Sequence, residues 1–346
     1  MRYTISSLLA MLALATPGAA EVPKVVADIP PIGALVAQVM GDLGQPEVLL
    51  GAGANAHDFQ LRPSQVRSVA GADLVVWVGP ELEPWLDRTL DGIGGGGARL
   101  TLLGVKGTLL RDFAEPGGHE GHDHDEGHDH ESHDHEHDHD HAHDHGAEAE
   151  GHPEAADHAE AGAHAGDHDG HSHEGTDPHA WLDPANAEIW LAAIAAELSR
   201  IDPENAAAYG ANAASGIAGL RKLDAEIAAR LAPVQDRPFV TFHDAYGYFT
   251  SHFGLNQIGA VSGGDAASPG AARLRELAAS VRGAGTICLF PEVQHDPALV
   301  AQMAGSGDAR VGGALDPEGT GLAPGADGYA RLLIGMTDTL VACLGQ

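Results

Sequence analysis

The sequence predicts an α/β protein: two βα lobes with parallel sheets, joined by one long linker helix, with a metal site in the cleft between the lobes. Three observations lead there. Short apolar runs alternate with helical patterns in the manner of parallel βαβ units, once before and once after a central helical stretch. That stretch, from about Asn205 to Leu231, is rich in Ala and repeats Leu220, Leu223, Ile227 and Leu231 at helical spacing. Histidines stand at the ends of expected strands, where open α/β sheets collect their ligands. The expected organisation is a signal peptide over 1–20, then an N-terminal lobe over 21–202 with a disordered His/Asp-rich insertion at 118–175. A linker helix over 203–232 and a C-terminal lobe over 233–346 follow.

Taken in order, Arg2 supplies a positive start, Leu8 to Ala15 an apolar core, and Gly18-Ala19-Ala20 the small residues a signal peptidase requires before Glu21. That core is too short for a membrane span, and no later run reaches the roughly 18 apolar residues of a transmembrane helix. The mature chain is expected to be exported and not membrane-embedded. In the first lobe the expected strands are Lys24 to Ala27, Glu47 to Leu50, Leu74 to Val78 and Arg99 to Leu103, with helices near Pro31 to Met40, Pro63 to Ala70 and Leu82 to Leu90. Asp183 is a good N-cap and Pro184 suits the first helical position, so another helix opens there and places His179 in a fixed, exposed loop just ahead of it. A linker of roughly 27 helical residues spans about 40 Å, and a single rigid rod should let the lobes rock only slightly. The second lobe repeats the alternation. Its strands are expected at Phe239 to Phe242, Asn256 to Val261, Thr286 to Phe290 and Arg310 to Gly312, and its helices near Tyr246 to Phe253, Pro269 to Arg282, Pro297 to Met303 and Gly328 to Leu344.

The net charge is −32, but about twenty of the 50 acids lie in or beside the insertion, leaving the folded remainder only moderately acidic. Nucleic-acid binders need basic patches, so no nucleic-acid partner is expected. Cys288 and Cys343 are the only cysteines. In an exported chain an even, sparse count reads first as one disulfide, worth about 4 kcal/mol for a loop of about 55 residues before native strain. A thiolate pair for metal is the alternative.

Between Gly118 and Gly175 the chain runs almost entirely in His, Asp, Glu, Gly and Ala, with no Lys or Arg, and holds eighteen of the 23 histidines. Imidazoles titrate near pH 6.5, so most are available at neutral pH, and interleaved carboxylates draw in divalent cations. His119, His122, His124, His128, His130, His133, His135, His137, His139, His141, His143 and His145 form an auxiliary metal set. The stretch has too few apolar residues to fold. Five histidines remain. His57 lies in a loop after the second strand, His179 ahead of a helix, and His243 closes the strand Phe-Val-Thr-Phe-His, while Asp316 follows the last strand at the same edge. His252 reads as an ordinary helix residue and His295 as a loop residue. Three imidazoles and one oxygen suit tetrahedral zinc, whereas Mn²⁺ prefers more oxygen, and copper and nickel compete by intrinsic affinity.

Five segments carry a resemblance: Ala-His-Asp-Phe-Gln-Leu-Arg-Pro-Ser from Ala56, Ala-Asp-Leu-Val-Val-Trp-Val-Gly-Pro-Glu-Leu-Glu from Ala72, Asp-Pro-His-Ala-Trp-Leu-Asp-Pro from Asp177, Phe-His-Asp-Ala-Tyr-Gly-Tyr-Phe from Phe242, and Leu-Asp-Pro-Glu-Gly from Leu315. Together with the His-Asp-rich insertion ahead of Asp-Pro-His, these resemble the zinc-uptake substrate-binding proteins of bacterial ABC transporters (ZnuA type), the metal-specific class with a rigid linker helix. The resemblance spans essentially the whole mature chain. It implies that His57, His179 and His243 bind one Zn²⁺ between the lobes and that Cys288 and Cys343 form a disulfide. Some zinc members place Glu before the first His, where this chain has Ala56, so the fourth ligand is Asp316 or a water. The implied role is a high-affinity periplasmic receptor, monomeric and not an enzyme, that hands zinc to an inner-membrane permease with its cytoplasmic ATPase. The tract would serve as auxiliary capture or sensing.

A periplasmic zinc store or chaperone, or a carrier of Mn²⁺ or Ni²⁺, is the alternative. A zinc hydrolase is disfavoured because no general base is evident beside the three imidazoles; the one His-Glu-x-x-His match, His135 to His139, lies within the His/Asp-rich tract. Deleting Gly118 to Gly175 is expected to preserve the tight site while lowering the total zinc bound per chain, measured by metal analysis after equilibrium dialysis. Unchanged stoichiometry would reduce the tract to a spacer.

Overall fold

A computed structural model describes residues 21–93, 96–113, 175–263, 270–285, 287–305 and 309–346. The expected signal peptide and the His/Asp-rich tract with its auxiliary histidines lie outside the described residues.

The first sheet contains β1 (Val25–Ala27), β2 (Glu47–Val48), β3 (Leu74–Trp77) and β4 (Ala98–Thr101), all parallel, in the order β2-β1-β3-β4. β1 and β3 are buried at every position, which is why they read as continuous apolar runs and not as alternating ones. Between the strands run α1 (Pro30–Met40), α2 (Pro63–Ala70) and α3 (Pro84–Ile93). Each opens on a proline, whose missing N–H falls where a helix has no use for it. α1 is apolar on nearly all sides because it is enclosed by its own sheet and by later helices. Gly33 allows that approach: a Cβ there would stand 2.4 Å from Val48 Cγ2.

The second sheet repeats the plan with β5 (Phe239–His243), β6 (Gln257–Ser262), β7 (Cys288–Leu289) and β8 (Arg310–Val311), parallel and ordered β6-β5-β7-β8. Strands β7 and β8 are shorter than the sequence suggests. β8 is an exposed edge, and pairing beyond two residues continues only as single bonds, Phe290 N to Val240 O at 2.9 Å and Gly312 N to Leu289 O at 2.9 Å. α6 (Gly247–Phe253) ends on Gly254 in the left-handed region (φ 65°), a conformation that favours glycine. α7 (Ala271–Gly283) and α8 (Ala298–Ala304) complete the crossovers.

Two helices precede the second sheet. α4 (Pro184–Ile201) starts as its sequence predicts, with Asp183 accepting from Ala185 N at 2.8 Å and Pro184 in the first turn. α5 (Ala206–Leu231) is one unbroken helix of 26 residues, about 39 Å long. It packs on α4 and α1 from the first lobe and on the terminal helix α9 (Gly328–Leu344) from the second. Leu220, Leu223, Ile227 and Leu231 all face inward.

One apolar cluster runs through both lobes, from Ile32 and Leu35 through Trp181, Trp190 and the inner face of α5 to Phe249, Tyr329 and Leu333. Smaller clusters cover the outer face of each sheet, around Val75 and Trp77 in the first and Val240 and Leu289 in the second. The lobes therefore share a core. Cys288 and Cys343 are disulfide-bonded with their Cα atoms 6.2 Å apart, which ties β7 to α9 and leaves no thiolate for metal. Among the described residues no helix is long and apolar enough to cross a membrane.

His252 also clamps the assembly. Its Nδ1 lies 2.9 Å from Asp183 at the head of α4 and its Nε2 2.7 Å from Asp224 on α5, so α6 is bound to both helices at once. The ring is raised to about 9, chiefly by the hydrogen bond to Asp183, with burial opposing and Asp224 adding to the rise. Since an unfolded imidazole titrates near 6.5, the clamp's contribution is complete below about pH 6.5 and is lost as pH climbs through about 9. For a half-buried group it is worth about 1–2 kcal/mol. His252→Gln is expected to lower the melting temperature of the zinc-free chain by a few degrees at pH 6.5 and by much less at pH 9.5. A deficit independent of pH in differential scanning calorimetry would contradict the clamp.

Candidate metal centre

His243 is the last residue of β5, so its side chain leaves the carboxyl end of a central strand. His179 precedes the short 3-10 turn Ala180–Leu182 that feeds α4. It is only 2 % exposed, whereas the sequence suggested an exposed loop. The difference comes from the other lobe: Trp181 Nε1 donates to Pro317 O at 2.8 Å, and Tyr329 OH donates to Trp181 O at 2.7 Å, folding the turn under the second lobe. His57 sits in the loop after β2. Asn55 Oδ1 accepts from His57 N at 2.8 Å, and the Ala56 peptide is held on both sides, its carbonyl by Trp85 Nε1 at 2.7 Å and its N–H by Glu318 Oε1 at 3.2 Å.

These elements bring three imidazoles from distant parts of the chain to one point. His57 Nε2 and His179 Nε2 are 3.2 Å apart, and His243 Nε2 and His179 Nε2 are 3.4 Å apart. Two nitrogens bound at 2.0–2.1 Å to one tetrahedral ion stand about 3.3 Å apart, so the spacing suits a shared zinc.

The opposite ring nitrogens explain the orientation. Asp177 Oδ1 lies 2.7 Å from His179 Nδ1 and also accepts from His179 N at 3.0 Å. Glu292 Oε2 lies 2.6 Å from His243 Nδ1, while its Oε1 accepts from Tyr246 OH at 2.9 Å and from His243 N at 3.3 Å. An ionised carboxylate can only accept, so Nδ1 carries the proton in both rings and each Nε2 turns a lone pair to the centre. Lone pairs facing one another at this distance repel unless a cation lies among them. Asp244, beside His243, has its carboxyl pushed up by burial and by the nearby Asp177 charge.

Asp316 is not brought to the imidazoles. Its carboxylate accepts from Thr320 N at 3.0 Å, Gly321 N at 2.8 Å and Gln294 Nε2 at 3.3 Å, closing the loop that presents Glu318. Among the described residues, the donor groups compact enough for a metal are His57, His179 and His243 together, and His243, Glu292 and His295 together. His252 stands in its ion-pair clamp. His295 is in a loop, as its sequence suggested, and stacks on Phe242 with ring centroids 4.1 Å apart.

Behind the His57 loop lie further acids that sequence reasoning left without a role. Asp28, just past β1, and Glu83, just before α3, are fully buried. Burial pushes both carboxyls up, and Glu83 goes further because the Asp28 charge adds to it. Asp28 accepts from Ile29 N at 2.7 Å and Val78 N at 2.5 Å. Asp177 had a signal, since it opens the Asp-Pro-His segment. Glu292 had none, lying 49 positions from the ring it holds.

The profile of one protein family, described as zinc-uptake complex component A, periplasmic (ZnuA), matches residues 25–343. The chain is 55 % identical over 343 residues to the high-affinity zinc uptake system protein ZnuA of Paracoccus denitrificans, covering 98 % of each chain. It is 32 % identical to the protein of the same name from Yersinia pestis, covering 97 % of this chain and 96 % of that one. Among solved structures, a zinc-bound deletion mutant of ZnuA is similar at a TM-score of 0.66 and 22 % identity, covering 93 % of this chain and 97 % of that one. A periplasmic metal-binding protein from Candidatus Liberibacter asiaticus is similar at a TM-score of 0.66 and 20 % identity, covering 93 % and 99 %. These two likenesses bear on the fold, two parallel-sheet α/β lobes. With its profile match over nearly the whole chain and relatives of this identity, the chain belongs to the ZnuA family.

Proposed function

We propose that the chain is the zinc receptor of an ABC importer: it binds one Zn²⁺ in the periplasm through His57, His179 and His243 and delivers it to an inner-membrane permease driven by a cytoplasmic ATPase. The observation that carries this reading is the meeting of three Nε2 atoms at 3.2 and 3.4 Å with the far nitrogen of two rings pinned by buried carboxylates. The relatives' name, high-affinity zinc uptake system protein, agrees with that donor set. A water completes the tetrahedron, since Asp316 is engaged by Thr320, Gly321 and Gln294. The chain acts as a carrier and not an enzyme. Asp177 and Glu292, which bind two of the rings, do so on the Nδ1 side, facing away from a metal-bound water, and so hold no proton-transfer position. The His-rich tract gathers zinc at low affinity, and the folded chain works as a monomer.

Zinc titration by calorimetry should resolve one tight site in the intact chain and lose it in each of His57→Ala, His179→Ala and His243→Ala. Tight binding retained in all three would remove the cleft from the reading. A strain lacking the protein should fail to grow under zinc limitation, whereas a mere store would leave growth intact.

Asp177→Asn keeps the shape of the side chain but removes the charge that fixes and enriches His179. It is expected to weaken tight zinc binding about 10- to 100-fold. An unchanged dissociation constant by chelator competition would show that Asp177 only braces the loop.

A further inference from the structure

Glu292 faces two histidines. Its Oε2 lies 2.6 Å from His243 Nδ1 and 3.8 Å from His295 Nε2. The second separation is too long for a hydrogen bond, yet it fits a divalent ion lying between the atoms: zinc bonds to N at about 2.0–2.1 Å and to carboxylate O at about 2.0–2.2 Å, so an N–Zn–O angle of about 135° spans 3.8 Å without moving either side chain. The His295 ring is held in place by stacking on Phe242 at 4.1 Å and 19°, with its centroid 6.3 Å from that of His243. The Glu292 side chain is 1 % exposed and that of His295 17 %, so the pair has one dry donor and one that solvent reaches.

We infer that Glu292 and His295, beside His243, form a second and weaker station for a divalent cation of the zinc class, adjoining the three-histidine site. The inference rests on the zinc-receptor reading and deepens it. The ion is bound by Glu292 Oε2 and His295 Nε2, with water completing its sphere. Repulsion from the dication in the neighbouring site keeps the second affinity low, so the station fills only in excess zinc. Filling it leaves Glu292 Oε2 shared between the ion and His243 Nδ1, which weakens the hydrogen bond that orients the primary ligand. The two ions therefore weaken one another reciprocally. Zinc in excess loosens zinc in the cleft, which gives a carrier a route for exchange.

The test is anomalous diffraction at the zinc edge from crystals of the full chain, grown with one equivalent of zinc and then with excess, for the unaltered protein and for His295→Phe. At one equivalent a single cleft peak is expected among His57, His179 and His243. In excess a second peak should appear between Glu292 and His295, and His295→Phe should remove it while the first persists, which also certifies that the variant is folded. Absence of the second peak in excess zinc, or its survival in His295→Phe, would overturn the station. Absence of zinc from the three-histidine site would instead overturn the receptor reading on which it rests.

Discussion

Two buried carboxylates determine what the cleft can do. Asp177 and Glu292 each accept a proton-bearing Nδ1, and by doing so commit the two rings to present bare Nε2 atoms to the same point. Without them, each imidazole could rotate or change tautomer, and three lone pairs would have no reason to converge. With them, the mutual repulsion of the Nε2 atoms is built into the fold and is relieved by a cation. The site is arranged for the bound state, so binding costs little rearrangement of the rings.

That arrangement depends in turn on how the lobes are held. His57 and His179 come from segments before the linker helix and His243 from a strand after it, so any slippage between the lobes would open the trio. The shared core through Trp181, α5 and Tyr329 opposes slippage over a broad area, and polar staples act at specific points. Glu318 of the second lobe holds the peptide next to His57, Pro317 and Tyr329 hold the turn next to His179, and His252 joins α6 to the head of α4. The loops of His57 and His179 are thus fixed by groups from across the cleft. Asp316, by closing the loop that carries Glu318, serves the site at one remove.

Much of this was legible in the sequence. Apolar runs and helical spacing gave two parallel sheets and a continuous linker, because these depend on local periodicity and on caps such as Asp183-Pro184. His57 and His243 stood out because strand ends are where such folds place ligands, and His179 because it stands in the Asp-Pro-His segment just ahead of a helix start. What escaped was pairing at long range. Nothing in the spacing of Glu292 and His243 says that they touch, and the burial of His179 depends on bonds to Pro317 and Tyr329, more than 130 positions away. Asp316 is a further case: its place after the last strand is legible, but the bonds its carboxylate accepts from Thr320 N and Gly321 N are not.

The charge distribution gives the donor set its meaning. In the site we propose, three imidazoles and a water leave the two positive charges of a zinc ion uncompensated in the inner sphere. The compensation sits one bond further out, on Asp177 and Glu292, and reaches the ion through the polarised rings. A carboxylate in the inner sphere would hold the metal more strongly by direct charge contact, and Ala56 stands where some relatives of this type carry Glu. Placing the negative charge behind the imidazoles keeps the ion well bound while the carboxylates remain hydrogen-bonded to the protein whether or not metal is present. Departure of the ion then strands no buried, unpaired charge, because each carboxylate retains its Nδ1–H and backbone partners. A resident cofactor has no need of such an arrangement, but a cargo that must leave does.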